Sequence, residues 1–213
     1  MPHTTKLRKQ LIETALRMRS EGINQGTAGN LSLRLGDHFI ITPSGMAYED
    51  MRPSSLVKID TISGEVLSEG RPSTEWRFHR DILANRPDID VVLHAHPVFS
   101  TALACQRRNI PAFHYMVAVA GGKSIECADY ALFGSQALSE HVLEALGPRN
   151  ACLMANHGII ALGKNLKSAL ALAVELETLA AQYIRVLQMG DPVLLSDTQM
   201  DEALAAFSGY GID

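Results

Sequence analysis

The sequence predicts an α/β fold of the α+β type: a single domain in which a central, mostly antiparallel β-sheet is flanked by helices. Three observations predict it. Short runs rich in β-branched residues come in pairs around turn residues, as at Gly36-Asp37 and Ser63-Gly64, which signals hairpins rather than strand–helix–strand crossovers. Longer stretches carrying apolar residues at helical spacing lie between and after them. The chain has 213 residues, 46% of them hydrophobic, which suits one substantial core, so residues 1–213 are expected to form one domain.

The elements follow in order. Leu7, Leu11, Ala15 and Met18 recur at helical spacing and Gly22 stops the pattern, predicting an amphipathic first helix. Residues 24–30 are a loop of small and amide side chains. Residues 31–35 and 38–42 read as a hairpin about Gly36-Asp37, closed by the turn Pro43-Ser44-Gly45. Residues 56–60 and 65–67 read as a second hairpin. Ser73 or Thr74 is placed to cap a helix reaching Asn85. Residues 90–96 form a strand, and Pro97 suits the first turn of a helix to Cys105. Residues 113–120 are expected to be a strand before Gly121-Gly122. A helix over 135–146 stops at Gly147-Pro148, and short strands at 151–154 and 159–162 flank Asn156-His157-Gly158. The longest helical pattern runs from Leu166 to Met189, and a last helix covers 197–207.

The bulk composition narrows the function. A net charge of −4 gives no general attraction for nucleic acid. No segment approaches the roughly 20 apolar residues needed to cross a bilayer. Residues 1–9 are polar and lack a signal-peptide core, so a cytoplasmic protein is expected. Cys105, Cys127 and Cys152 are odd in number and widely spaced, which predicts buried thiols in a reducing compartment rather than disulfides or a zinc knuckle.

His94-Ala95-His96 carries the strongest chemical signal. Side chains alternate along a strand, so both imidazoles point to one face and can share a divalent metal. His157 and Glu75 are further ligand candidates. The ordinary reading of His157 is a turn residue between strands. The ordinary reading of Glu75 is an acid in a first helical turn, and without a metal nearby that reading wins. Beside a dication, a carboxylate can exchange between ligand and proton carrier.

Three places suit a phosphate. The loop ending in Gly26-Thr27-Ala28-Gly29-Asn30 and the turn Ser44-Gly45 offer unobstructed backbone N–H groups, and Ser73-Thr74 stands at a helix N-terminus. No phosphate-clamping lysine lies in these loops, so neutral donors would bind a phosphomonoester. Tyr115 and Tyr210 are ordinary packing or surface residues unless a metal-bound substrate makes one of them an acid.

These segments together resemble the class II aldolase/adducin family. The resemblance rests on residues 24–30, Thr42-Pro43-Ser44-Gly45, Pro72 through His79, His94-Ala95-His96, Ile110 through Met116 and Asn156-His157-Gly158, in the family's order. It implies a metal site of Glu75, His94, His96 and His157 holding one divalent ion per subunit, Zn(II) first, with Co(II) or Mn(II) as alternatives. It implies Glu75 as catalytic acid/base and Thr27, Asn30, Ser44, Gly45, Ser73 and Thr74 as phosphate-binding residues. It implies Tyr115 as a proton donor reaching a neighbouring subunit's site, Phe133 and Tyr210 at the aldehyde end, and a homotetramer with active sites between subunits. Thr74 stands where a second Ser is usual, Ser44 where Thr can occur and Asn156 where His can occur, changes that leave metal and phosphate chemistry intact.

The activity implied is reversible cleavage of a ketose 1-phosphate, with L-fuculose 1-phosphate expected, into dihydroxyacetone phosphate and L-lactaldehyde. 5-Deoxyribulose 1-phosphate and 5-methylthioribulose 1-phosphate are the alternatives. A sugar-phosphate 4-epimerase is disfavoured because its relatives carry Asp where Glu75 stands. A non-catalytic adducin-like module is disfavoured by retention of Glu75 and the three histidines.

Overall fold

The structure is a computed structural model that describes residues 2–208. Helix α1 (Pro2–Ser20) buries Leu11, Ala15 and Met18 completely, the side chains whose spacing predicts it. Strand β1 (Asn30–Leu35) pairs antiparallel with β2 (His38–Ile41) across Gly36-Asp37, and β2 pairs antiparallel with β3 (Val57–Asp60). The expected partner of β3 is reduced to a single bridge between Ile59 and Val66. Helix α2 (Trp76–Asn85) leads to β4 (Val91–Ala95) and α3 (Val98–Cys105). After β5 (Cys127–Ala128) come α4 (Gln136–Leu146), the hairpin β6 (Ala151–Met154) and β7 (Gly158–Gly163), then α5 (Leu166–Met189) and α6 (Asp197–Ser208).

The seven strands form one sheet in the order β3-β2-β1-β4-β7-β6-β5. Every adjacent pair is antiparallel except β5–β6. The sheet separates two cores. Val91, Leu93 and Ala95 of β4 enter one with Leu11 of α1, Leu103 of α3 and Leu176 of α5. Val92 enters the other with Phe78 and Ile82 of α2 and Val142 of α4. Each fully buried Val, Leu or Ile contributes about 1.5–3 kcal/mol, so this alternation locks the register of the central strand. His94 shares the face of Val92, its ring edge-on to Phe78 with centroids 5.5 Å apart. No helix among the described residues is long and apolar enough to cross a membrane.

Three expectations are corrected. The segment Tyr115–Ala120 is a 3₁₀ helix, not a strand. His114 caps it by accepting from the Met116 N–H at 3.2 Å, and its Val117, Ala118 and Ala120 are buried by packing that needs no sheet edge. Neither Ser73 nor Thr74 is the N-cap of α2. That position is Glu75, whose side chain makes no capping bond because its carboxylate is turned to Asn30, while Ser73 accepts the Glu75 and Trp76 N–H groups in a turn that precedes the helix. Of the cysteines only Cys152 is buried; Cys127 is half-buried and Cys105, at the end of α3, is exposed. Burial raises the Cys127 thiol to about 11, which suits an inert side chain. The two-residue strand β5 lies where the sequence offers no pattern.

Candidate functional site

β4 carries His94, the residue just past its end is His96, and the β6–β7 turn delivers His157 to the same place. The ring centroids form a nearly equilateral triangle, 4.7, 4.8 and 5.0 Å on its sides. One nitrogen from each ring lies within 4.8 Å of the others. His157 reaches this position from a tight turn in which its N–H bonds to the Met154 carbonyl at 3.0 Å and Asn156 takes a φ of 55°. The turn reading of His157 therefore holds, and the same turn brings its ring to the two other imidazoles. A β-carbon on Gly158 would lie 2.7 Å from Cδ2 of His96 and closer still to the Ala95 carbonyl, so the hairpin packs against the His96 ring only because this residue is glycine.

The proton positions follow from the partners. Nδ1 of His94 donates to the Ile159 carbonyl at 2.9 Å, which leaves a lone pair on Nε2. Burial lowers His94 to about 3 against the pull of Glu75, so the ring is neutral near pH 7. Its Nε2 faces Nε2 of His96 at 2.9 Å and Oε2 of Glu75 at 3.3 Å. Oε1 of Glu75 lies 3.1 Å from Nε2 of His157 yet accepts no well-directed hydrogen bond, although it is buried. Burial opposes ionisation of Glu75, but His94, His157 and the Asn30 amide outweigh it and hold the carboxyl below the ordinary carboxylate range. Three imidazole nitrogens and a carboxylate thus converge, with a lone pair of His94 turned toward the others, and one buried carboxylate oxygen is unsatisfied. This is the donor set and the unmet demand that a divalent cation fills.

Three members of the cluster, Glu75, His96 and His157, line a cleft of about 390 Å³. Thr27, Asn30, Ser44, Gly45, Ser73 and Thr74 all line it, together with Glu75, His96, His157 and Phe133. The three phosphate segments named from the sequence are thus brought to one cavity. Loop 24–30 is tied down by Asn24, which bonds to the Tyr48 hydroxyl at 3.0 Å and receives the His96 N–H at 3.4 Å. Gly29 has a φ of 73°, and a β-carbon there would sit 2.6 Å from the His94 carbonyl, so the loop rests directly on the strand that carries His94. Phe133 is 60% exposed beside Tyr130 and Ala131, which give the cleft one apolar side.

One expected residue is not brought to the cleft of its own chain. Tyr115 is 54% exposed, stacks on Phe207 with centroids 6.2 Å apart and does not line the cavity. Tyr210 lies outside the described residues. One residue was missed: His79, fully buried four residues after Glu75 on α2, hydrogen-bonded to Asn30 and Ser32. The signal was the Glu-x-x-x-His spacing, which puts both side chains on one helix face.

Comparison with known proteins gives a consistent result. The family model described as Class II Aldolase and Adducin N-terminal domain matches residues 9–184. A 5-methylthioribulose-1-phosphate/5-deoxyribulose-1-phosphate aldolase of Rhodospirillum rubrum is 53% identical over 205 residues, covering 96% of this chain and 92% of its own. An L-fuculose phosphate aldolase of Escherichia coli is 48% identical over 208 residues, covering 97% and 96%. A solved L-fuculose 1-phosphate aldolase superposes with a TM-score of 0.92 at 36% identity, covering 96% of this chain and 97% of that one.

Proposed function

The chain belongs to the class II aldolase and adducin family, and from that premise we propose that its 213 residues form one metal-dependent aldolase domain that cleaves a ketose 1-phosphate reversibly into dihydroxyacetone phosphate and a small aldehyde. The observation that carries this reading is the convergence of His94, His96, His157 and Glu75 beside a cleft lined by three neutral segments that offer hydrogen-bond donors. His94, His96 and His157 would hold the divalent ion, with Glu75 as a ligand when no substrate is bound; Zn(II) suits three imidazoles, and Co(II) or Mn(II) are the alternatives. When bound, the ion supplies Lewis-acid stabilisation of negative charge developing on substrate oxygen.

The rest of the work falls to side chains. Thr27, Asn30, Ser44, Gly45, Ser73 and Thr74 bind the phosphate and fix the reacting carbons against Glu75. Glu75, mostly buried but lining the cleft, carries the proton that the third carbon of dihydroxyacetone phosphate gains or loses. Tyr115, exposed and away from its own cleft, acts at the site of a neighbouring copy in a homotetramer, as donor and acceptor for the hydroxyl on the fourth carbon. Phe133 and Tyr210 meet the aldehyde end.

L-Fuculose 1-phosphate, giving L-lactaldehyde, is the substrate this reading carries from the sequence. The Rhodospirillum rubrum relative at 53% identity supports a second reading, 5-methylthioribulose 1-phosphate or 5-deoxyribulose 1-phosphate. The apolar side formed by Tyr130, Ala131 and Phe133 accommodates the short, methyl-ended aldehydes of all three. The test is a retro-aldol assay over these three substrates on enzyme stripped with a chelator and reloaded with Zn(II), Co(II) or Mn(II). Cleavage that vanishes on stripping and returns on reloading is expected, and the ranking of the three selects the substrate. Full activity in the stripped enzyme overturns the proposal.

A further inference from the structure

A chain of buried polar side chains stands behind Glu75. Asn30 Nδ2 donates to Glu75 Oε2 at 2.9 Å, Asn30 Oδ1 meets His79 Nε2 at 2.5 Å, and His79 Nδ1 meets Ser32 Oγ at 2.7 Å. The four residues are 7, 3, 0 and 0% exposed from Glu75 to Ser32, so water does not offer substitute partners. The polarity of every link is determined. An ionised carboxylate only accepts, so Asn30 must turn its amide nitrogen to Glu75 and its carbonyl oxygen to His79. His79 must then carry its proton on Nε2, and its Nδ1 must accept from the Ser32 hydroxyl. Burial lowers His79 to about 3, so the ring stays neutral and can hold one tautomer near pH 7.

The topology explains why this chain exists. Asn30 and Ser32 project from the same face of β1, two residues apart, and α2 lays Glu75 and His79 across them one turn apart. Asn30 pairs with His94 in the β1–β4 ladder, so the same strand register sets both the metal-ligand ring and the amide that holds the carboxylate.

We propose that His79 is a positioning residue for the aldol chemistry: with Ser32 it fixes the orientation of the Asn30 amide, which in turn holds Oε2 of Glu75 and aims Oε1 at the reacting centre. This rests on Glu75 being the acid/base of the proposed reaction. It also changes the role of Asn30, whose amide oxygen is committed to His79 and one N–H to Glu75, leaving the other N–H for phosphate. Outer hydrogen-bond partners of ligating and catalytic groups influence affinity or rate by about 10–100-fold.

The test has two parts. The first is spectroscopic and independent of turnover: ¹⁵N NMR of ring-labelled, metal-loaded enzyme near pH 7, with His79 assigned by comparison with His79→Gln. The Nε2–H tautomer is expected in the wild type, and an Nδ1–H tautomer or a protonated ring overturns the proposal. The second compares His79→Leu, His79→Gln and Ser32→Ala in metal-loaded enzyme. His79→Leu should lower kcat and the proton exchange of dihydroxyacetone phosphate about 10–100-fold, with little change in KM. His79→Gln, which keeps an N–H donor, should recover most of that loss, and Ser32→Ala should fall between. Exchange within about twofold of wild type in a folded His79→Leu enzyme, or equal loss in the Leu and Gln variants, overturns it. Should His79→Leu fail to fold, Ser32→Ala and the tautomer decide the question. A wild type with no exchange or cleavage at all would refute the aldolase reading and leave the tautomer result standing.

Discussion

Glu75→Gln removes one charge and almost no volume, which makes it the sharpest perturbation of the site. The glutamine can keep its carbonyl oxygen on the Asn30 amide, now 2.9 Å from Oε2, and place its NH₂ where Oε1 stands 3.1 Å from His157 Nε2. Folding should therefore change by no more than the value of a rearranged hydrogen bond, about 0.5–1.5 kcal/mol. The chemistry should change far more. An amide neither accepts nor returns a proton at neutral pH, and loss of a positioned general acid/base lowers a rate by 10²–10⁴-fold, about 3–5 kcal/mol of barrier. Deuterium uptake from D₂O into the hydroxymethyl carbon of dihydroxyacetone phosphate, followed by proton NMR, reads this step alone. The variant should still take up metal and phosphate while exchanging at least about 100-fold more slowly. Exchange within tenfold of wild type, with metal bound, would remove Glu75 from the role assigned to it.

Other expectations follow from the same geometry. Gly158→Ala forces a methyl against the Ala95 carbonyl and the His96 ring; it should destabilise the fold by about 1–3 kcal/mol in denaturant melts and weaken metal binding together with it. His79 is held neutral well below its ordinary value, so its contribution to stability is complete above pH 6.5 and is lost as pH falls from there toward 3. Between pH 6.5 and 5, the stability of His79→Gln should decline less steeply than wild type, by about 1.4 kcal/mol per pH unit; parallel declines would contradict a buried neutral ring. Tyr115→Phe and Glu75→Gln chains, each nearly inactive alone, should regain activity when co-assembled, because a site can then take Glu75 from one copy and Tyr115 from another. No recovery in co-purified mixed oligomers would contradict a shared site.

Much of the site was legible because it obeys short-range rules. Two residues apart on a strand means one face, and His94 and His96 obey that rule with Nε2 atoms 2.9 Å apart. Gly36-Asp37 marked a real hairpin, and the apolar repeat of residues 166–189 matched α5. The misses are of another kind. Residues 115–120 carry β-formers, yet their packing against α6 and α5, not their propensity, decides for a 3₁₀ turn. The cap of α2 was misplaced because Glu75 is drawn to Asn30 and the rings, an attraction across 45 residues that no local capping rule contains. His79 went unnoticed because its partners lie on β1, and only the β1–α2 contact makes a buried histidine into a support for the carboxylate. Tyr115 is exposed and away from the cleft of its own chain, so a single chain gives it no partner in the site.

The central claim is that three imidazoles and Glu75 form one cation site, and direct titration tests it. Chelator-stripped protein would be titrated with Zn(II) by calorimetry, alongside His94→Ala, His96→Ala and His157→Ala chains whose folding is checked by circular dichroism. One tight equivalent per wild-type chain, lost in each folded variant, is the predicted result. A wild type that takes up no ion, or variants that bind it as tightly, would contradict the account.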